Sequence, residues 1–212
     1  MRTSYKLLID LALYEPNTNY NIFIIKSQFV ADIVNITIEK YKSCDIIYIS
    51  KNKGDVCMII RTRRLVLRPF ETADVTWYYD VIKNTDMVTR LKSLNAKDEE
   101  AAQKHISIFA NGDFKNDFYC VITDKKKNVM GFIIAVRLTR MTMDVSYFLK
   151  EEYRHNGYMQ EALTGVVETI RDDNPLARIR LEIEKDNIPS LNIAKRMSAI
   201  MQDKGDKFMC YI

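Results

Sequence analysis

Glycine, proline and histidine are scarce in this chain: 6 Gly, 4 Pro and 2 His among 212 residues. So little glycine and proline excludes a collagen-like or low-complexity polymer, and no internal repeat is visible. The four cysteines, Cys44, Cys57, Cys120 and Cys210, form no C-x-x-C pair. With only His105 and His155 to add, zinc-ligand spacings are missing and no metal is expected. The apolar patch near the N-terminus is broken by Asp10, with no small-residue cleavage site after it. Scattered cysteines without a leader make a reducing, cytoplasmic setting the expectation. No stretch approaches the roughly 18–20 apolar residues of a membrane helix, so no membrane partner is expected. What is present is 47% hydrophobic and 28% charged residues, enough to bury a sizeable core. The net charge of +4 is too small to imply a polyanionic partner by itself.

The pattern changes near "RTRRLVLRPF" (61–70) and divides the chain into an extension, residues 1–60, and a domain over 61–212. In the extension, helices are predicted at 4–14 and about 27–41. A hairpin follows, "CDIIYIS-KNKGD-VCMII", turning at Gly54. Helix, helix, hairpin is the order of a small winged-helix-like unit. In the second part "RLVLRPF" alternates as a strand that Pro69 ends. Thr72 is the expected N-cap of a helix through Trp77 and Val81, and Asn95 that of a second. Strands follow at 117–124, 128–138 and 144–149, then a helix from Tyr158 to about Arg171. A strand at 178–184, a helix opened by Asn187 and Pro189, and a terminal strand "KFMCYI" complete a mixed α/β domain.

One of the few glycines sits in "EEYRHNGYMQEAL" (151–163), between a strand and a helix. In that helix Met159, Ala162, Leu163, Val166, Val167 and Ile170 form one apolar stripe at helical spacing, so the helix faces a sheet. Its N-terminus presents unpaired N–H groups and the positive end of the dipole. Gly157 lets the backbone take an unusual φ or lets a phosphate approach closely, and Arg154 adds a forked cationic donor. The stretch reads either as a tight turn or as an anion-binding loop.

The neighbouring blocks separate these readings. "T-x-R-L-x-L-R-P" stands at Thr62 to Pro69, "Y-x-x-x-G-Y-x-x-E-A" at Tyr153 to Ala162, and "N-x-x-S" at Asn187 to Ser190. In this order they resemble the GCN5-related N-acetyltransferase (GNAT) superfamily, and within it the branch that acetylates ribosomal-protein N-termini. The resemblance implies a mostly antiparallel sheet flanked by helices, with two central parallel strands splayed around acetyl-CoA. The pantetheine arm would pair with the backbone of Val145, Ser146, Tyr147 and Phe148. The pyrophosphate would lie on the N–H groups of Arg154, His155, Asn156, Gly157, Tyr158 and Met159. Met159 departs from the small residue usual there, and its side chain is expected to turn into the core. Asn187 and Ser190 would reach the pantetheine or the thioester, and a backbone N–H near Val145 would receive the oxyanion.

Acetyl transfer to an amine needs the amine neutral, and α-amino groups and lysines titrate near ~8 and ~10.4. Asp144, Glu182 and Glu184 are the candidate bases, the glutamates also reading as a solvated face paired with Arg178 and Arg180. The tyrosine that many members carry seven residues after the helix-opening Asn is Ala194 here, which leaves Ser190 as the candidate acid. Trp77, Tyr78 and Tyr79 read either as packing or as lining of the acceptor side. The family's "K-x-G-F" after the last helix is missing, so a short or remodelled final hairpin is expected.

The expected activity is acetylation of a primary amine, a protein N-terminus or a small amine. Residues 1–60 are expected to pack on the domain, supporting a homodimer or shaping the acceptor cleft. Two alternatives stand beside it: an acetyl-CoA-sensing DNA-binding regulator acting through residues 1–60, and a degenerate CoA binder without turnover. Nucleic acid is the weaker expectation, since residues 1–60 carry seven Lys and Arg against six Asp and Glu with no basic face.

Overall fold

The computed structural model describes residues 22–29, 32–40, 44–51, 56–83, 98–110 and 117–212. Eleven strands among them form one sheet in the order β1-β2-β3-β4-β5-β6-β7-β8-β9-β11-β10. They are β1 (Ile22–Phe29), β2 (Asp32–Lys40), β3 (Cys44–Lys51), β4 (Val56–Thr62), β5 (Leu65–Arg68), β6 (Asp117–Asp124), β7 (Val129–Thr139), β8 (Thr142–Leu149), β9 (Arg178–Glu184), β10 (Ile200–Asp203) and β11 (Lys207–Tyr211). All pairings are antiparallel except β8 with β9. Four helices accompany them: α1 (Val75–Ile82), α2 (Glu99–Ala110), α3 (Tyr158–Asp173) and α4 (Ile188–Arg196).

The helices divide between the two faces because their apolar stripes do. On one face Tyr78 and Ile82 of α1 and Ile106 and Phe109 of α2 join Phe70, Val121 and Phe132 in an aromatic-rich cluster. On the other, Met159, Ala162, Leu163, Val166 and Val167 of α3 and Leu191 and Ala194 of α4 bury against β3–β9 and β11. Asp74 fixes the turn from β5 into α1. It accepts two hydrogen bonds from Arg68 at 2.8 and 2.9 Å, one from the Glu71 N–H at 2.7 Å and one from Trp77 Nε1 at 2.8 Å. A 3-10 turn, Thr72–Asp74, precedes α1 with Glu71 as its cap, so Thr72 is not the N-cap. The Asp98 carboxylate accepts from the Ala101 N–H at 2.8 Å at the start of α2; Asn95 lies outside the described residues.

The extension differs from its sequence reading. The helix expected over 27–41 is replaced by β1 and β2, which pair from Ile22↔Glu39 to Phe29↔Asp32. The reason lies in "DIVNITIEK", where Val34, Ile36 and Ile38 alternate with Asn35, Thr37 and Glu39, a period of two in β-branched residues. The hairpin reading of 44–60 holds as β3 and β4. Four strands in sequence are not a winged-helix order; residues 4–14 lie outside the described residues. The terminal strand is β11, and β10, whose bounds the sequence did not mark, pairs with it in the short final hairpin expected. No helix among the described residues is long and apolar enough to cross a membrane.

Candidate active site

β8 and β9 run parallel for three rungs only, Thr142↔Arg178, Met143↔Ile179 and Asp144↔Arg180. At the last rung Arg180 Nε donates to Asp144 Oδ1 at 2.7 Å. Beyond it the strands diverge: β8 stays with β7 as far as Gly131↔Leu149, while β9 stays with β11. One edge of Val145–Leu149 therefore has no strand partner among the described residues. A cavity of about 980 Å³ opens there. Val145 to Leu149 form one wall, Leu181, Glu182 and Ile183 the other, with the loop before α3 and the first turns of α4 at its ends.

The loop is held from beneath by an unforeseen clamp. Glu161, in the first turn of α3, accepts from Thr62 Oγ1 at 2.5 Å, from the Arg64 N–H at 2.8 Å and from Arg64 Nε at 2.6 Å. The same guanidinium donates to the Asn156 carbonyl at 2.9 Å and lies 4.3 Å above the Tyr158 ring. Burial alone would raise the Glu161 carboxyl. The hydrogen bonds from Thr62 and from Arg64 outweigh it and hold the group below the usual glutamate range. Thr62, Arg64, Tyr158 and Glu161, met in the sequence as motif letters, thus tie β4 and β5 to the loop. Gly157 sits on this platform at φ 74 as the N-cap of α3, and no side chain caps the helix. The first N–H groups of α3 are therefore free for a ligand on the cavity side.

The sequence-predicted residues fall largely together. Val145, Ser146, Tyr147, Phe148, Arg154, His155, Gly157, Tyr158, Met159, Glu182, Asn187 and Ser190 all line the cavity. Met159 buries its side chain, as expected from its place in the α3 stripe. Arg154 turns part of its fork back, Nε donating to the Leu149 carbonyl at 3.0 Å. Asn187 caps α4, its Oδ1 accepting from the Ser190 N–H at 3.3 Å. Two residues stand elsewhere. Asn156 is not part of the lining; its Nδ2 donates to the Arg154 carbonyl at 2.8 Å and shapes the turn. Asp144 is not part of it either, because its carboxylate is engaged by Arg180 at the vertex.

Of the carboxylates weighed as bases, Glu182 alone lines the cavity; its partner is Lys207 rather than Arg178 or Arg180. Ala194 is wholly buried. The aromatics of α1 are packing residues: Tyr78 is in the core and Trp77 stacks on Phe70. The first helix reaches the cavity through Asp80 and Val81 instead. Lys150 and Arg196 also line it and were missed, because their place depends on how β8 and α4 converge.

An extended ligand with amide groups and an anionic end fits this arrangement. The open edge of β8 offers backbone hydrogen bonds to the amides, and the uncapped end of α3 with Arg154 receives the anion. Among the described residues no three His, Cys, Asp or Glu converge to hold a metal.

Comparison with known proteins places the fold. The N-acetyltransferase YnaD of Bacillus subtilis, an uncharacterized protein, is 23% identical over 143 residues, 66% of this chain and 81% of that protein. A ribosomal-protein-S5-alanine acetyltransferase from Vibrio fischeri superposes with a TM-score of 0.60 at 15% identity, covering 73% of this chain and 95% of that one. Spermidine N-acetyltransferase from Vibrio cholerae, solved with CoA and spermine, superposes with a TM-score of 0.59 at 11% identity, over 69% and 92%. The family model for the acetyltransferase (GNAT) domain matches residues 64–199, which takes in β5, Arg64 and Glu161 of the clamp, the loop before α3, the splayed strands and α4. The chain belongs to the GNAT acetyltransferase family.

Proposed function

We propose that this protein moves the acetyl group of acetyl-CoA directly to a primary amine, a protein N-terminus or a small amine. One observation carries the reading: the unpaired edge of β8 and the uncapped N-terminus of α3 open into a single cavity. The pyrophosphate lies over the N–H groups that follow Gly157, with Arg154 beside it, and the pantetheine arm extends β8 along Val145–Phe148. The reactive carbonyl then comes to the vertex end of β8, where the Val145 N–H receives its oxygen. The acceptor enters opposite. Its nitrogen bonds to the carbonyl carbon, the C–S bond breaks, and Glu182 takes the proton the amine must lose. Ser190, at the start of α4, lines the same cavity and offers a hydroxyl donor.

The neighbours support both acceptor classes, one named for a ribosomal protein and one solved with spermine. Amine-dependent release of CoA thiol from acetyl-CoA, measured across peptides with free N-termini and polyamines, tests the reading. Turnover should appear with one class, and Glu182→Gln should lower it by about 10²-fold. Thiol release no faster with any amine than without would refute it.

A further inference from the structure

The carboxylate that takes the amine's proton is already held by a cation. Lys207 Nζ donates to Glu182 Oε1, and both side chains are partly exposed. The lysine belongs to β11, in the short final hairpin, where the ladder sets it opposite Glu184 rather than Glu182. Residues two apart share one face of a strand, and directly opposed residues stand about 5 Å apart. The ammonium of Lys207 therefore serves a wall that carries both glutamates. That wall faces away from α3 and α4, because the alternating Leu181 and Ile183 are buried in their core. At the vertex end of the same face Arg180 engages Asp144. Across the cavity, Asp80 of α1 is paired with Lys83 at the end of the same helix.

The balance of charge along this wall decides which amines suit it. Three carboxylates, Asp144, Glu182 and Glu184, stand against two cations, Arg180 and Lys207, which leaves one negative charge. A polyamine brings more than one positive charge. Its amines titrate near the ~10.4 of a lysine, so at neutral pH those that do not react stay ammonium groups, and each needs a counter-charge or water. Resting on the acetyl-CoA reading, we propose that Lys207 sets the charge class of the acceptor. Its ammonium takes the place of a substrate's second ammonium, and the site accepts amines that carry a single positive charge. Glu182 receives the acceptor's ammonium while Lys207 keeps Oε1. A second ammonium would meet Lys207 as a like charge beside the carboxylates it needs. A peptide N-terminus without basic neighbours satisfies this condition, and spermidine does not.

Isothermal titration of the CoA-loaded protein with spermidine and with hexylamine tests the assignment without any turnover. In the parent, spermidine should bind no more tightly than hexylamine. Lys207→Met should tighten spermidine about fivefold, the scale of one partly exposed ion pair, and leave hexylamine within about twofold. Lys207→Arg keeps the charge and should behave as the parent does. Adding Glu182→Gln to Lys207→Met should abolish the gain. The same spermidine affinity in the parent and in Lys207→Met, or no detectable binding to either, would overturn the proposal. So would a gain that survives Glu182→Gln. These outcomes leave the acetyl-CoA reading intact, whereas a parent whose melting temperature does not respond to CoA would remove both. Should Lys207→Met not melt cooperatively, Lys207→Gln takes its place with the same expected gain.

Discussion

Glu161 shows how one carboxylate can hold a loop from beneath. It gathers three donors from Thr62 and Arg64, residues about a hundred positions earlier in the chain. Replacing it with Gln keeps the size and removes the charge. Glu161→Gln should cost roughly 1–2 kcal/mol at neutral pH, a figure already reduced for the partial exposure of Arg64. The loss is pH-dependent with a fixed sign. The folded carboxyl titrates below its ordinary value of 4.5. Its stabilisation is therefore complete above that value and disappears as pH falls through the lowered one. Asp74, also lowered despite its burial because Arg68, Trp77 and the Glu71 N–H donate to it, adds an acid-labile contribution of the same sign. Urea unfolding at pH 7 should separate the variant from the parent, and by about pH 3 the gap should narrow. A gap that stays constant with pH would mean that the charge contributes nothing.

Among the elements, β8 forms a wall of the cavity, and its placement depends on its neighbour. Gly131 of β7 lies against it so closely that an added Cβ would stand 2.1 Å from the Phe148 carbonyl oxygen. No side chain can yield there, since the obstacle is backbone. Gly131→Ala should destabilise the protein by roughly 1–3 kcal/mol and displace the Phe148 stretch of β8, weakening CoA binding as well. Thermal melts with and without CoA would show both effects; wild-type behaviour in each would contradict this packing.

The sequence revealed the individual elements better than their meeting points. The α3 stripe, the inward turn of Met159 and the alternation of β9 followed from periodicity. The splay came only through the family resemblance, because it depends on β8 and β9 parting after three rungs, and that pairing leaves no local pattern. The clamp of Arg64 and Glu161 was visible only as two motif letters. That Asp144 stands outside the cavity lining, engaged by Arg180, could not be read either, because the strand pattern does not say which residue stands opposite. Strand β2 was misread as helix although a period of two in β-branched residues was present. Strand β10, four residues long and half polar, offers no pattern to read.

At the scale of the molecule, the extension and the domain share one sheet. β4 pairs with β5 at Ile60↔Leu67, and Cys44, Ile46, Met58 and Ile60 lie in the same core as α3 and α4. Gly165 of α3 rests against Ile60 and Thr62, so the helix that presents the loop is seated partly on the extension. CoA binding should accordingly stabilise the whole cooperative unit. The most direct test is a thermal titration with acetyl-CoA, in the parent and in Gly157→Val, where a β-branched residue must occupy φ 74. At a hundred times its Kd the ligand should add about 2.7 kcal/mol, a rise of roughly 5–10 °C for a chain of this size. The account predicts a saturable rise in the parent and little or none in a Gly157→Val protein that still melts cooperatively. No rise in the parent, or an equal rise in both, would contradict it.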